Sequence, residues 1–241
     1  MSASAAADTT SGDDTLVNSA GITPSQLAEL NAEFAPCHFE ERIRKLYDYF
    51  DESRTLITSS FAATSAYFLH IIHRIRPTQK IAFIDTGYHF QQTLEYKEYL
   101  SQLYGLEVFA LKAEDWKHQF TQDDKTWEKN PDFCCSINKV EPLEAVKPNY
   151  HVWVSSLMRW QTDHRADMDI FEIRRGILKF NPMIDVTREE RDAYIREHDL
   201  PFHPLVEQGY QSIGCTHCTL KGDDRSGRWA GKPKTECGLH L

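Results

Sequence analysis

The chain has 241 residues, 41% of them hydrophobic and 26% charged, and carries a net charge of -9. That length can bury one sizeable core, and an acidic chain is a poor non-specific binder of nucleic acid or anionic membrane. No apolar run approaches the roughly 20 residues of a membrane span, so neither a nucleic acid nor a membrane is expected as a partner.

Residues 1–22 read as a disordered tail. The stretch has no basic n-region or apolar h-region of a secretory signal, and it is acidic and lacks the arginines of a mitochondrial transit peptide. Order is expected from Thr23, with Thr23 as N-cap, Pro24 at the first helical position and Gln26 as capping-box partner. A second helix is expected from about His38 to Phe50. Strands then follow at 55–60, 80–86, 106–111 and 150–156. Helices are expected at 63–75 and at 90–105, the latter closed by Gly105. Residues 169–183 read as a hairpin around Arg175-Gly176, and 187–200 as a helix with Thr187 and Glu190 as its capping box. Residues 201–241 are rich in Gly, Pro, Lys and Arg and short of apolar periodicity. Strands alternating with helices predict an α/β fold with a doubly wound, mostly parallel sheet. The implied division is a tail at 1–22, an α/β domain at 23–214 and a C-terminal segment at 215–241.

In such sheets ligands sit beyond the carboxyl ends of the strands. "TSSFAATS" (58–65) passes from strand to helix with hydroxylated residues, Ser59 and Ser60 among them, that could hold a phosphate at the helix N-terminus. Plain helix capping explains Ser and Thr there equally well. "DTGY" (85–88) puts Asp85 and Thr86 after a buried strand, where an ordinary turn is the plainer reading.

The cysteines carry more. Cys134 and Cys135 are adjacent, and "GCTHCT" supplies Cys215 and Cys218 at Cys-x-x-Cys spacing. Four thiolates suit either tetrahedral Zn²⁺ or a [4Fe–4S] cluster. Adjacent ligands are awkward around one tetrahedral ion, whereas the irons of a cubane are spread apart. The competing reading is that Cys134 and Cys135 are small buried hydrophobes. Six cysteines in a chain without a secretory signal suggest a reducing, cytoplasmic setting. Cys37 reads as a spectator. Cys237 lies near the end on what reads as a flexible arm, with Lys232, Lys234 and His240 close in sequence. Nearby cations enrich the thiolate, which makes Cys237 a candidate nucleophile; an incidental surface thiol is the alternative.

The combination "CC…GCTHCT…DDRSGRWAGKPKTECGLH" resembles the assimilatory adenylyl-sulfate and phosphoadenylyl-sulfate reductases. The resemblance runs from about residue 38 to the end and includes "SSF" (59–61), "FIDTGYHFQQT" (83–93), "INKVEPL" (137–143), "GYQSIGC" (209–215) and "ECGLH" (236–240). It implies an adenine-nucleotide alpha-hydrolase-like fold and reduction of activated sulfate to sulfite, with a separate thioredoxin- or glutaredoxin-type reductant. It further implies a [4Fe–4S] cluster on Cys134, Cys135, Cys215 and Cys218, with Cys237 as nucleophile. Three positions depart from the family pattern: Ala62 stands for a glycine of the nucleotide loop, Met158-Arg159 for an arginine pair, and Asn138 for a basic residue before Lys139.

The substrate of this family carries two or more negative charges beside the bond to be cleaved, so a thiolate needs cations near it. Arg225 and Arg228 lie beside the reactive tail, Arg159 and Arg165 in "MRWQTDHRAD", and Lys139 close to the cysteine pair; arginine forks suit phosphate and sulfate oxygens. Together with Ser59, Ser60, Asp85, Thr86 and His240 they form the expected substrate contacts. Because the cluster cysteines are present, adenylyl sulfate (APS) leads over phosphoadenylyl sulfate (PAPS). An ATP-dependent thiolation enzyme of similar fold and a zinc-stabilised module remain as rivals. Sequence leaves the oligomeric state open, a homo-oligomer included.

Overall fold

A computed structural model describes residues 21–240; the expected disordered tail therefore lies, through residue 20, outside the described residues. Six strands form one sheet in the order β3-β2-β1-β4-β6-β5. They are β1 (Thr55–Ser59), β2 (Ile81–Ile84), β3 (Val108–Leu111), β4 (Val152–Val154), β5 (Phe171–Arg174) and β6 (Ile177–Phe180). Every pairing is parallel except β5 with β6, which is the hairpin expected around Arg175-Gly176. Gly176 has φ +77 and Arg175 φ 49, so both turn residues are left-handed, the requirement of a two-residue hairpin of this hand.

Helices cover both faces, as a parallel sheet demands. They are α1 (Pro24–Phe34), α2 (Phe39–Tyr49), α3 (Ser65–Ile75), α4 (Gln91–Tyr104), α5 (Asp115–Asp123), α6 (Thr126–Lys129), α7 (Pro131–Cys135), α8 (Glu141–Val146), α9 (Asp163–Ala166) and α10 (Arg188–Glu197). The capping boxes at Thr23/Gln26 and Thr187/Glu190 both form, and Gly105 ends α4 in the left-handed conformation. Alternation along the strands splits the core. Ile57, Phe83, Val152, Val154 and Phe180 face the larger cluster under α1 to α4 and α10. Leu56, Ala82 and Trp153 face a smaller one closed by Leu143.

An ion pair between buried Arg42 and exposed Asp185 ties the first two helices to the segment after β6. Arg42 grips Asp185 in a fork (2.5 and 2.8 Å) and also donates to the carbonyls of Phe34, Ala35 and Pro182.

His203 joins α4 to the loop after β1. Its backbone N–H donates to Ala63 O (3.3 Å), Leu205 N–H donates to its Nδ1 (3.1 Å), and its Nε2 lies 3.0 Å from Thr93 Oγ1. The side chain is fully buried, and burial pushes its pKa down to about 4. The unfolded chain takes up this proton near pH ~6.5 and the folded chain only near ~4. The stabilisation is therefore intact above about pH 6.5 and is lost as pH falls, at most about 3 kcal/mol. Urea midpoints should drop less between about pH 7.5 and 5 in His203→Gln than in the parent; equal drops would assign the acid sensitivity elsewhere.

Candidate active site

β1 and β4 are neighbours whose chains leave in opposite directions across the sheet, the switch point at which open α/β sheets bind ligands. A cavity of about 260 Å³ opens there, walled by the segments that follow β1, β2 and β4 and roofed by the C-terminal segment. The loop after β1 is rigidly formed. Phe61 takes φ 48, its ring is fully buried with its edge against Phe83 (5.7 Å), and its N–H donates to Ser59 Oγ (3.2 Å). A left-handed non-glycine residue is strained, and surrounding packing must hold it. Ser59, Ser60, Thr64 and Ser65 present hydroxyls along this wall.

The four paired cysteines meet beside it. Asn130 caps α7 through its side chain and Pro131 opens it. α7 then runs directly into a π-helical turn, Ser136–Val140, and on into α8. Pro142 supplies a reason for the wide turn, since proline cannot donate and crowds the carbonyl of residue i−4. Cys134, Cys135, Cys215 and Cys218 line one small space with Tyr88, Trp127, Asn138, Lys139 and His217. Thr86 Oγ1 stands 3.4 Å from Cys215 Sγ, and Thr216 N–H donates to Tyr88 O (2.8 Å). Asn138, where the family pattern has a basic residue, is buried and donates to Cys134 O (3.0 Å) and towards Cys134 Sγ (3.7 Å). All six cysteines are free thiols. Among the described residues no three His, Cys, Asp or Glu side chains converge to hold a single metal ion. The four thiols line one small space, and a four-thiolate set suits either one tetrahedral ion or a multi-iron group.

Burial pushes the Cys134 thiol up to about 12, and burial also raises Cys135 and Cys218. Lys139 and Cys215 line both this space and the larger cavity. Burial opposes the charge on Lys139, but Cys215, Cys135 and Cys237, in their thiolate forms, outweigh it and hold the ammonium above its ordinary range. Lys139 is thus a cation shared between the paired cysteines and Cys237.

The tail that reads as a flexible arm is docked along its length. Leu239 packs into the smaller core cluster, and the His240 ring stacks on Trp153 at 5.2 Å. Gly238 takes φ +84, a value that favours glycine, and its carbonyl accepts from Arg175 Nη2 (3.4 Å). His164 Nε2 lies 3.0 Å from His240 O, Lys234 pairs with Asp132, and Glu236 is buried against Arg165. Cys237 is partly exposed and lines the cavity.

Of the residues expected to meet substrate, Ser59, Ser60, Thr86, Lys139, Arg165, Arg225, Arg228 and His240 line the cavity; Asp85 and Arg159 do not. Asp85 accepts from Gly87 N–H (3.0 Å) and pairs with Lys112 (3.0 Å). Arg159 gives Nε and Nη2 to Met168 O (3.2 and 3.0 Å). Both are drawn away by nearer partners. Cys37 sits in the turn between α1 and α2, outside both spaces. Ser155, Gln161 and Glu236 also line the cavity without having been expected there; for Glu236 the available signal was its place next to Cys237.

Five buried polar atoms on cavity-lining residues have no hydrogen-bond partner among the described residues: Tyr67 OH, Arg225 Nε, Arg228 Nε, Trp229 Nε1 and His240 Nδ1. Burial, and then Arg165, push Arg225 down to about 10. Burial chiefly, with Lys179, Arg165 and Arg225, holds the His240 imidazole neutral. Gly214 makes room for Arg228, because a Cβ there would stand 2.3 Å from its guanidinium. Arg228 Nη1 then reaches Ile213 O (3.3 Å). Buried unpaired donors of this kind demand an acceptor.

Comparison with known proteins gives concordant matches. The family model described as the phosphoadenosine phosphosulfate reductase domain matches residues 54–221. An adenosine 5'-phosphosulfate reductase of Bacillus thuringiensis (strain Al Hakam) is 38% identical over 202 residues, covering 78% of this chain and 85% of that protein. The crystal structure of a phosphoadenylyl-sulfate (PAPS) reductase from Candida auris, in a phosphate complex, superposes with a TM-score of 0.70. It is 26% identical and covers 83% of this chain and 98% of that one. The FMN adenylyltransferase of Candida glabrata, at 12% identity and a TM-score of 0.55 over 89% of this chain and 70% of that one, shares the fold.

Proposed function

The chain belongs to the phosphoadenosine phosphosulfate reductase family, and from that premise we propose that it reduces adenylyl sulfate to sulfite and AMP through an S-sulfonate on Cys237. It is an oxidoreductase of activated sulfate; the choice of nucleotide, the reductant and the cofactor are parts of the proposal. The observation that carries it is the pair of partnerless buried guanidinium donors, Arg225 Nε and Arg228 Nε, on one cavity that also holds the Cys237 thiol. A phosphosulfate supplies the acceptors these donors lack.

The chemistry balances as two displacements. The Cys237 thiolate attacks the sulfate sulfur; an S–S bond forms, the S–O bond to phosphate breaks, and AMP leaves with the electron pair. Lys139, Arg225 and Arg228 offset the repulsion between thiolate and anhydride, a contribution that is largest where water is excluded. One thiolate of a thioredoxin- or glutaredoxin-type dithiol then attacks Cys237 Sγ, and sulfite departs with the pair from the broken S–S bond. The reductant's second thiol resolves the mixed disulfide, so both electrons come from the dithiol. A reducing, cytoplasmic setting, as expected for six free thiols, keeps that dithiol available. Cys134, Cys135, Cys215 and Cys218 fit a [4Fe–4S] group, which when bound would supply a fixed field beside Lys139 and a cross-link between the π-turn and the C-terminal segment.

Adenylyl sulfate is favoured over its 3'-phosphorylated form by the distribution of charge. Among the described residues, the wall at 58–65 offers hydroxyls and no cation, and Arg159 is turned to Met168 O. A second phosphate needs a cation of its own. The sequence relative in Bacillus thuringiensis carries the adenosine 5'-phosphosulfate name. Side-by-side turnover should give the larger kcat/KM with adenylyl sulfate. A preference above about tenfold for the 3'-phosphorylated nucleotide, about 1.4 kcal/mol, would reverse the assignment.

A further inference from the structure

Glu236 precedes Cys237 and is one of the most thoroughly held carboxylates in the molecule. Arg165 grips it through Nε and Nη2 (2.7 and 2.9 Å), Thr162 Oγ1 donates to it (2.9 Å), and Arg225 stands 3.6 Å away. Both Arg165 and Glu236 are buried. Arg165 is itself braced, since its Nη1 donates to Gln161 Oε1, which also accepts from Met158 N–H (3.2 Å). The sequence reading placed Arg165 on substrate, but in this structure its fork is already occupied.

We propose that Glu236 is the positioning residue of the tail: clasped by Arg165, it seats the Cys237 thiol at the cavity, and release of that clasp is what frees the thiol for the reductant. This rests on the reading of Cys237 as nucleophile. The clasp acts on the residue next to the thiol and is charged, whereas the downstream anchors are contacts to neutral groups of the tail: Arg175 to Gly238 O at 3.4 Å, His164 to His240 O at 3.0 Å, Leu239 against the smaller core cluster and the His240 ring on Trp153. A fork of charged hydrogen bonds sets direction as well as strength. Opening the clasp leaves the buried Arg165 without its anion, an unfavourable state that favours reclosure. The docked and released tails are therefore two discrete arrangements.

The test uses the full-length, iron-loaded enzyme. Glu236→Gln preserves shape and removes the charge. Without any nucleotide, iodoacetamide should alkylate Cys237 at least about tenfold faster in this variant than in the parent, because labelling follows the population of the opened tail. Cys37, in the α1–α2 turn, is the internal reference and should label at an unchanged rate. With adenylyl sulfate and no reductant, sulfonation of Cys237 should slow while AMP affinity holds. Attack by the reductant on the preformed adduct should not slow. Thr162→Val removes one hydrogen bond to Glu236 at a position whose side chain caps no helix; it should raise Cys237 labelling in the same direction by about threefold. Unchanged Cys237 labelling in both variants, or a rise matched at Cys37, overturns the proposal, as does an unaltered sulfonation rate. The labelling arm needs no turnover, so it still reports on the clasp if no sulfonucleotide is reduced.

Discussion

With Cys237→Ser, no nucleotide should be released in a single turnover and no sulfonate should be found on the tail peptide. The parent, given substrate without reductant, should release roughly one nucleotide per active site and stop, with mass spectrometry locating one sulfonate on Cys237. Added thioredoxin should then discharge sulfite. Serine is close to cysteine in size, so the docked tail, with Glu236 on Arg165 and His240 on Trp153, should keep its seat. What is lost is the nucleophile. A serine hydroxyl is scarcely ionised near neutral pH, and its attack would form an S–O bond that a dithiol cannot open by thiol exchange. Loss of an acting nucleophile should lower kcat by at least about 10⁴, some 5 kcal/mol of barrier. Nucleotide binding and iron content should be unchanged. Two outcomes reject the mechanism: multiple turnover in the variant, or an adduct on Cys37 in the parent.

The parts of this molecule that were legible in the sequence are those written locally. Thr23 with Gln26, Thr187 with Glu190, Gly105, and Arg175-Gly176 each specify a cap or a turn from a few neighbouring residues, and each forms as expected. The stretch 112–149 was not read as elements, although Asn130 and Pro131 mark one helix start within it. It folds as short helices joined through a π-turn, where no apolar period lasts long enough to be read. The docked seat of the tail was not legible for a different reason. Composition says that a Gly-, Pro- and Lys-rich terminus buries little, but the contact that seats it joins Arg165 to Glu236 across 71 residues, and its last ring finds Trp153 of β4. The cysteines were legible because chemistry constrains their spacing. Which cations stay free for a ligand was less legible, since a guanidinium takes the nearest strong acceptor: Met168 O for Arg159, Glu236 for Arg165, although Lys139, Arg225 and Arg228 do line the cavity.

The cluster assignment makes the second large prediction. Protein purified without oxygen should be brown and contain about four irons per chain, the content of a cubane. Cys135→Ser should reduce that to roughly one or fewer, since a neutral hydroxyl replaces one of four thiolates. The size of the side chain barely changes, so loss of packing cannot account for the result. Cys134 and Cys135 end α7, whereas Cys215 and Cys218 lie some eighty residues on, in the segment that follows Ile213 and Gly214 beneath Arg228. Iron binding would cross-link these two stretches, and binding free energy at such a site is also folding free energy. The melting temperature should therefore fall with the iron, and chelation of the parent should reproduce the fall. Lys139 is held charged by the thiolate forms of Cys215, Cys135 and Cys237 together, so iron loss should also slow sulfonation of Cys237, even though in the proposed mechanism the dithiol supplies both electrons. Stoichiometric zinc with no iron in the anaerobic protein would overturn the assignment and leave the four cysteines as a structural zinc site.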